Sequence, residues 1–131
     1  GIYNYSNEEK DDSFLENIIK ETQKETGVSN TEFSVHRLLL PMINESAISF
    51  QEGVSSLSDI DIAMLAGTGF PQDKGGPLHY ADSQGLDNIL KEMENFSSIF
   101  GQRFWPAPIL KRYVPAGWLG VKTKKGFFDY L

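Results

Sequence analysis

The sequence has no cysteine, two histidines, two tryptophans, and no apolar run approaching the length of a membrane span. The first absence excludes disulfides, thiolate catalysis and every cysteine-based metal site, and it fits a reducing compartment. With no long apolar run and no basic-then-apolar leader, nothing points to insertion or export, and a soluble cytoplasmic protein is expected. Positive charge is also short: 12 Lys and Arg stand against 18 Asp and Glu, for a formal net charge of −6. Phosphate backbones are held by clustered cations, so a nucleic-acid partner is not expected. Neither His36 nor His79 lies in a ligand spacing such as HExxH, so no metal site is expected either.

What is present suffices for one core. A chain of 131 residues with 40% hydrophobic and 23% charged residues suits a single globular domain. Its charge is graded: residues 1–32 carry three Lys against eight Asp or Glu, whereas residues 103–131 carry Arg103, Lys111, Arg112, Lys122, Lys124 and Lys125 against Asp129 alone. A solvated basic face is the plain reading of that tail, and contact with a phosphate-bearing ligand or an acidic neighbour is the functional one.

The apolar spacing is helical throughout. Phe14, Leu15, Ile18 and Ile19 form a stripe within residues 6–26, which start at either Ser13 with Glu16 or Ser6 with Glu9 as a capping box and stop at Gly27. Residues 32–52 are apolar on more than one side, predicting a central helix ended by Gly53 and kinked at Pro41, which lacks an N–H donor. Ser58 and Asp61 read as a capping box for a short helix over 59–66, followed by a glycine- and proline-rich loop over 67–77. Pro77 then opens a helical turn through Tyr80 and Ala81, and Leu86, Ile89, Leu90, Met93, Phe96 and Ile99 mark a helix ending near Gly101. A last short helix is expected over 107–114, then loop. No alternating strand pattern appears, so the fold class is all-α, a compact helical bundle.

Few residues carry a chemical signature. Gly67-Thr68-Gly69 lacks the third glycine and the preceding strand of a dinucleotide loop, and Lys74 lacks the order of a phosphate-binding loop. His36 beside Arg37 has the titration range of a general base, but a structural or interface role is the preferred reading. Asp59 and Asp61, two apart on a helix, do not face each other and read as cap and dipole complement. Glu45, Asp61 and Asp82 lie in otherwise apolar segments, where a carboxylate needs an Arg or backbone donors, and Arg37 is the first partner to consider.

The motifs in order carry a resemblance. Arg37-Leu38-Leu39-Leu40-Pro41-Met42-Ile43-Asn44-Glu45, Glu52-Gly53-Val54 and Asp59-Ile60-Asp61-Ile62-Ala63-Met64 are followed by Gly67-Thr68-Gly69-Phe70-Pro71, Gly75-Gly76-Pro77-Leu78, Tyr80-Ala81-Asp82, Gly85-Leu86-Asp87 and Gly126-Phe127-Phe128-Asp129-Tyr130. This series resembles the C-terminal domain of 3-hydroxyacyl-CoA dehydrogenases. The Gly75-Gly76 loop and Phe104-Trp105-Pro106-Ala107-Pro108 are most similar to the second of two tandem copies in multifunctional β-oxidation enzymes. Gly1-Ile2-Tyr3-Asn4-Tyr5 echoes Gly126-Phe127-Phe128-Asp129-Tyr130, as the tail of a preceding copy would. The resemblance therefore divides the chain into residues 1–30, the end of one repeat plus an acidic linker helix, and residues 31–131, the C-terminal-type domain.

The resemblance further implies a parent enzyme that oxidises 3-hydroxyacyl-CoA to 3-oxoacyl-CoA. There an upstream Rossmann domain binds NAD and supplies the catalytic His and Glu, and the first C-terminal copy supplies an Asn just before its Arg. This chain has His36 at that Asn position, so no catalytic residue is expected in it and no cofactor is expected to bind it. Arg37, Glu45, Asp61, Gly69, Pro71, Gly76, Pro77, Asp82 and Gly85 are its structural and interdomain signature. Its expected partners are the Rossmann domain, the first copy and the acyl-CoA substrate of the parent. Arg103, Arg112 and Lys124 are candidate contacts for coenzyme A phosphates. The alternative is a non-catalytic interaction module that self-pairs as a homodimer.

Overall fold

The computed structural model describes residues 13–27 and 34–131, and the chain divides into two units, residues 1–33 and 34–131. In the first unit Ser13–Thr26 forms α1. Phe14, Ile18 and Ile19 keep their helical spacing and are exposed. Glu16 and Lys20 pair one turn apart at 3.7 Å, and Gly27 closes the helix at φ +67°. The alternative start at Ser6 and the echo at residues 1–5 lie outside the described residues.

The second unit is built around α2, His36–Gln51. It starts four residues later than the expected 32: the Ser34 hydroxyl accepts the His36 N–H at 3.3 Å and the Ser34 carbonyl accepts the Arg37 N–H at 2.9 Å, so a turn precedes the first helical residue. The helix continues through Pro41, whose missing N–H deprives the Arg37 carbonyl of its helical donor. Leu40, Ile43 and Ala47 form its buried stripe, packed with Ile60, Leu78, Leu86, Ile89, Met93, Phe104 and Leu110 from the surrounding elements. Each fully buried Leu, Ile, Met or Phe side chain contributes roughly 1.5–3 kcal/mol, and these residues come from every helix packed on α2.

The helix α3 runs Leu57–Thr68, two residues longer at each end than expected. Its capping box is Ser56 with Asp59, not Ser58 with Asp61: Asp59 N–H donates to the Ser56 hydroxyl at 3.2 Å, and that hydroxyl donates to the Asp59 carboxylate at 2.7 Å. Both pairs have the same spacing, so the local pattern alone does not choose between them. Gly69 ends α3 at φ +71°, where the Phe70 N–H reaches back to the Met64 carbonyl. The expected loop contains a 3-10 turn, Gln72–Lys74, before α4, Pro77–Gln84, which has Pro77 at its first position as expected. Gly85, at φ +90°, separates α4 from α5, Leu86–Phe100. After the turn Gln102–Phe104 comes α6, Pro108–Tyr113. The C-terminal segment has one more 3-10 turn, Val121–Thr123, and the isolated bridges Gly120 to Lys125 and Lys125 to Asp129. The described residues contain no strand, so the fold is all-α. No described helix is long and apolar enough to cross a membrane.

Two polar residues of α2 are buried, Asn44 and Ser46, and the first makes a clamp. The Asn44 amide donates to the Trp105 carbonyl at 2.9 Å, and its carbonyl accepts the Ala107 N–H at 2.7 Å. It thereby satisfies the irregular backbone that carries the chain from the α5 end into α6. Asn44→Ala leaves two backbone groups without partners and is expected to cost about 2–3 kcal/mol. Urea unfolding measures this, and a loss under about 0.5 kcal/mol would show that the clamp contributes little.

Candidate functional site

The chemistry-bearing side chains of the second unit gather around α4. This helix has eight residues, and its N-cap position is Gly76, which has no side chain with which to cap it. The cap comes from elsewhere: Asp61, 2% exposed on α3, accepts the Leu78 N–H at 2.8 Å and the His79 N–H at 3.1 Å. A carboxylate on the first N–H groups of a helix answers both their hydrogen-bonding need and the helix dipole. Gly76 is required for this approach, since a Cβ there would overlap the Asp61 side chain. His79 adds a third contact, its Nδ1 lying 2.7 Å from Asp61 Oδ2. Its ring stacks on Phe128, with centroids 3.7 Å apart.

At the other end of α4, Asp82, 1% exposed, accepts the Phe127 and Phe128 N–H groups at 2.9 Å each and the Tyr130 hydroxyl at 3.0 Å. Burial pushes its carboxyl up, and the Phe128 and Phe127 N–H groups, the Tyr130 hydroxyl and the charge of His79 pull it back. Burial and the Asp82 carboxylate together push the Tyr130 phenol well up. Gly126 faces the Asp82 carboxylate and Gly120 the Asp82 backbone, each closely enough that a Cβ would collide. The glycines of the C-terminal segment are thus the places where chain lies directly on Asp82.

The first turn of α2 contributes a second cluster. His36 Nδ1 lies 2.7 and 2.8 Å from the two carboxylate oxygens of Glu92 on α5, and Nε2 lies 3.2 Å from the Tyr80 hydroxyl on α4. With Nδ1–H donating to Glu92, Nε2 is the acceptor and the buried Tyr80 hydroxyl donates to it. Both ring nitrogens are then engaged inside the fold, which is the geometry of a strut between α2, α4 and α5 and not of a base open to substrate. Arg37 lays its guanidinium 4.0 Å from the centre of the Phe100 ring. Asp61 and Asp82 are answered by backbone N–H groups, His79 and Tyr130 in place of the expected Arg37. Glu45 was expected among the carboxylates needing such partners, but it is exposed, and the buried polar residues of that stretch are its neighbours Asn44 and Ser46.

The remaining signature residues are spread over turns. Gly69 and Gly85 hold positive φ at helix ends, Pro71 precedes the first 3-10 turn, and Pro77 is buried at the start of α4. Of the three candidate phosphate contacts, Arg103 lies 6.0 Å from the Phe104 ring centre. Lys124 occupies a left-handed position at φ 61°, and Arg112 lines a cavity beside α6. That cavity takes in neither Arg103 nor Lys124. Glu92, Tyr80, His79 and Tyr130 were not anticipated as site residues. Glu92 had a legible signal, standing three residues from Ile89 and one from Met93 at the edge of the buried α5 stripe.

The motif series agrees with what is known of other proteins. Residues 33–130 match the family model for the 3-hydroxyacyl-CoA dehydrogenase C-terminal domain. The chain belongs to that family. A 3-hydroxybutyryl-CoA dehydrogenase of Bradyrhizobium diazoefficiens is 46% identical over 99 residues, covering 75% of this chain and 33% of that protein. A fatty acid oxidation complex subunit alpha of Idiomarina loihiensis is 46% identical over 81 residues, covering 61% of this chain and 11% of that subunit. The crystal structure of (S)-3-hydroxybutyryl-CoA dehydrogenase from Ralstonia eutropha superimposes with a TM-score of 0.70 at 36% identity, covering 88% of this chain and 42% of that one. The chain thus spans about a third of the length of the curated 3-hydroxybutyryl-CoA dehydrogenase it matches.

In this 3-hydroxyacyl-CoA dehydrogenase C-terminal domain, histidines and buried carboxylates are used to join helices. If the His36–Glu92 contact is such a strut, a double-mutant cycle of His36→Ala and Glu92→Ala by urea unfolding is expected to return a coupling of about 1 kcal/mol. Additivity within about 0.3 kcal/mol would show that the two do not act together. Asp82→Asn preserves shape but presents an amide N–H where the carboxylate accepts donors, and is expected to destabilise by about 2–3 kcal/mol. Tyr130→Phe, which removes one of the three donors, is expected to cost about 1 kcal/mol on the same measurement.

Proposed function

We propose that this chain is the helical C-terminal domain of an NAD-dependent 3-hydroxyacyl-CoA dehydrogenase of fatty-acid β-oxidation, and that it packs on neighbouring catalytic domains without turning over substrate alone. The observation that carries this reading is the engagement of every buried ionisable side chain of the α4 region in holding helices together. Asp61 and Asp82 are filled by backbone donors, and His36 is held at both nitrogens. A hydride transfer needs a base open to the substrate hydroxyl and a bound dinucleotide, and the motif for the latter is absent from the sequence. The shares of its relatives that the chain covers fit a domain acting with others.

The start of α2 supports a packing role. Val35 is 57% exposed and Leu38 60% exposed, beside the half-buried His36 and Arg37. Large apolar side chains next to a signature Arg form a surface suited to another domain of the parent chain. In this reading the Rossmann domain binds NAD and holds the catalytic residues, the first C-terminal copy meets this one, and the acyl-CoA substrate is bound in the parent.

The test is NADH oxidation by the purified chain with acetoacetyl-CoA at high protein concentration, alongside a His36→Ala control. No turnover is expected from either protein. Turnover that disappears in the control would give His36 a catalytic role and overturn the packing reading.

A further inference from the structure

Five successive positions divide among them the demands of the seat on Asp82. The first, Gly126, has no Cβ because one would overlap Asp82 Oδ1 and the Gly120 backbone. The second and third give their N–H groups to the two carboxylate oxygens. The side chain of the second, Phe127, is buried, and that of the third, Phe128, stacks on His79. The fourth, Asp129, has a side chain 83% exposed, and the fifth, Tyr130, donates its hydroxyl to the carboxylate. The socket thus accepts glycine, an apolar residue, an aromatic one, a polar one and tyrosine, in that order. Its acceptor belongs to α4. Nearer α6 the chain is held separately, by the Leu86 N–H on the Leu119 carbonyl and by Lys122 on Asp87, so the five residues leave their seat without carrying that stretch away.

The same order occurs a second time in the sequence, as Gly1-Ile2-Tyr3-Asn4-Tyr5, and no other glycine of the 131 residues begins it. Each demand is met: no Cβ, two residues that are not proline and so carry an N–H, an apolar side chain, a ring for His79, and a phenol in fifth place. We propose that the Asp82 socket is a binding site for segments of this pattern supplied in trans, and that residues 1–5 of a second copy are such a ligand. Hydrogen bonds to a charged, buried acceptor are stronger than those between neutral groups, and the acceptor does not distinguish a resident donor from an incoming one of the same spacing. What favours the resident segment is its tether, which holds it at an effective concentration of about millimolar. The inference rests on the geometry at Asp82 and not on the reaction of the parent enzyme.

The experiment uses the full chain and an N-acetylated Gly-Ile-Tyr-Asn-Tyr peptide with a dye at its C-terminal end, followed by fluorescence anisotropy. Gly126→Ala evicts the resident segment, because its Cβ collides with Asp82, and is expected to bind the peptide saturably, at least tenfold more tightly than the unaltered chain. Tyr130→Phe takes one donor from the resident segment without adding a Cβ, and is expected to fall between the two; circular dichroism shows that each variant keeps its helices. Peptides carrying Gly1→Ala or Tyr5→Phe are expected to bind Gly126→Ala about tenfold more weakly. Three results would each overturn the proposal: no saturable binding by either variant, equal binding by the unaltered chain, or affinities that the two peptide substitutions leave unchanged.

Discussion

Two buried carboxylates bracket an eight-residue helix, and the arrangement of the second unit depends on them. A helix as short as α4 is not stable on its own, and its N-cap is a glycine that supplies no oxygen. Asp61, reaching from α3, provides the missing acceptor at one end, and Asp82, projecting from α4 itself, fixes the C-terminal segment through three donors. His79 and Phe128 connect the two ends by stacking while His79 also touches Asp61. No buried side-chain nitrogen or oxygen among the described residues is left without a partner. That matters because a half-satisfied polar network costs more than an apolar core.

The same constraint explains which parts of the fold were legible in the sequence. Helix existence followed from the apolar spacing, and α5 and α6 fall where their stripes and flanking Gly and Pro residues put them. The error at α3 is instructive, because Ser56 with Asp59 and Ser58 with Asp61 are indistinguishable as local patterns. Asp61 cannot cap its own helix, since its carboxylate is taken by α4, and that fact lies 17 residues away along the chain. Glu45 was misplaced for a related reason. In a helix apolar on several sides the periodicity does not say which of two adjacent polar residues faces inward, and the backbone between α5 and α6 selects Asn44.

Glycines were easier to find than to interpret. The chain around residues 67–77 reads as a loop because it is rich in Gly and Pro, yet the demand at Gly76 is one of space as well as of dihedral angle: its φ is +106° and a Cβ would meet Asp61. Gly126 has an ordinary φ, and what forbids a side chain there is the close approach of the Asp82 carboxylate and of the Gly120 backbone. A close approach of two backbones leaves no mark in local propensity. The ordered motif series did carry this information, because Gly76, Asp82 and Gly126 all belong to segments whose resemblance to the 3-hydroxyacyl-CoA dehydrogenase family was visible before their contacts were.

His36 shows most directly how context decides chemistry. An imidazole near a carboxylate is the usual arrangement for proton transfer, and the Glu92 contact supplies that half of it. The other half is a ring nitrogen left open, and here Tyr80, itself buried on α4, faces it. Because Tyr80 belongs to the helix that Asp61 and Asp82 hold in place, the two carboxylates also fix what His36 can do. The residue that could have been a base is thereby tied to the same short helix as the two buried carboxylates.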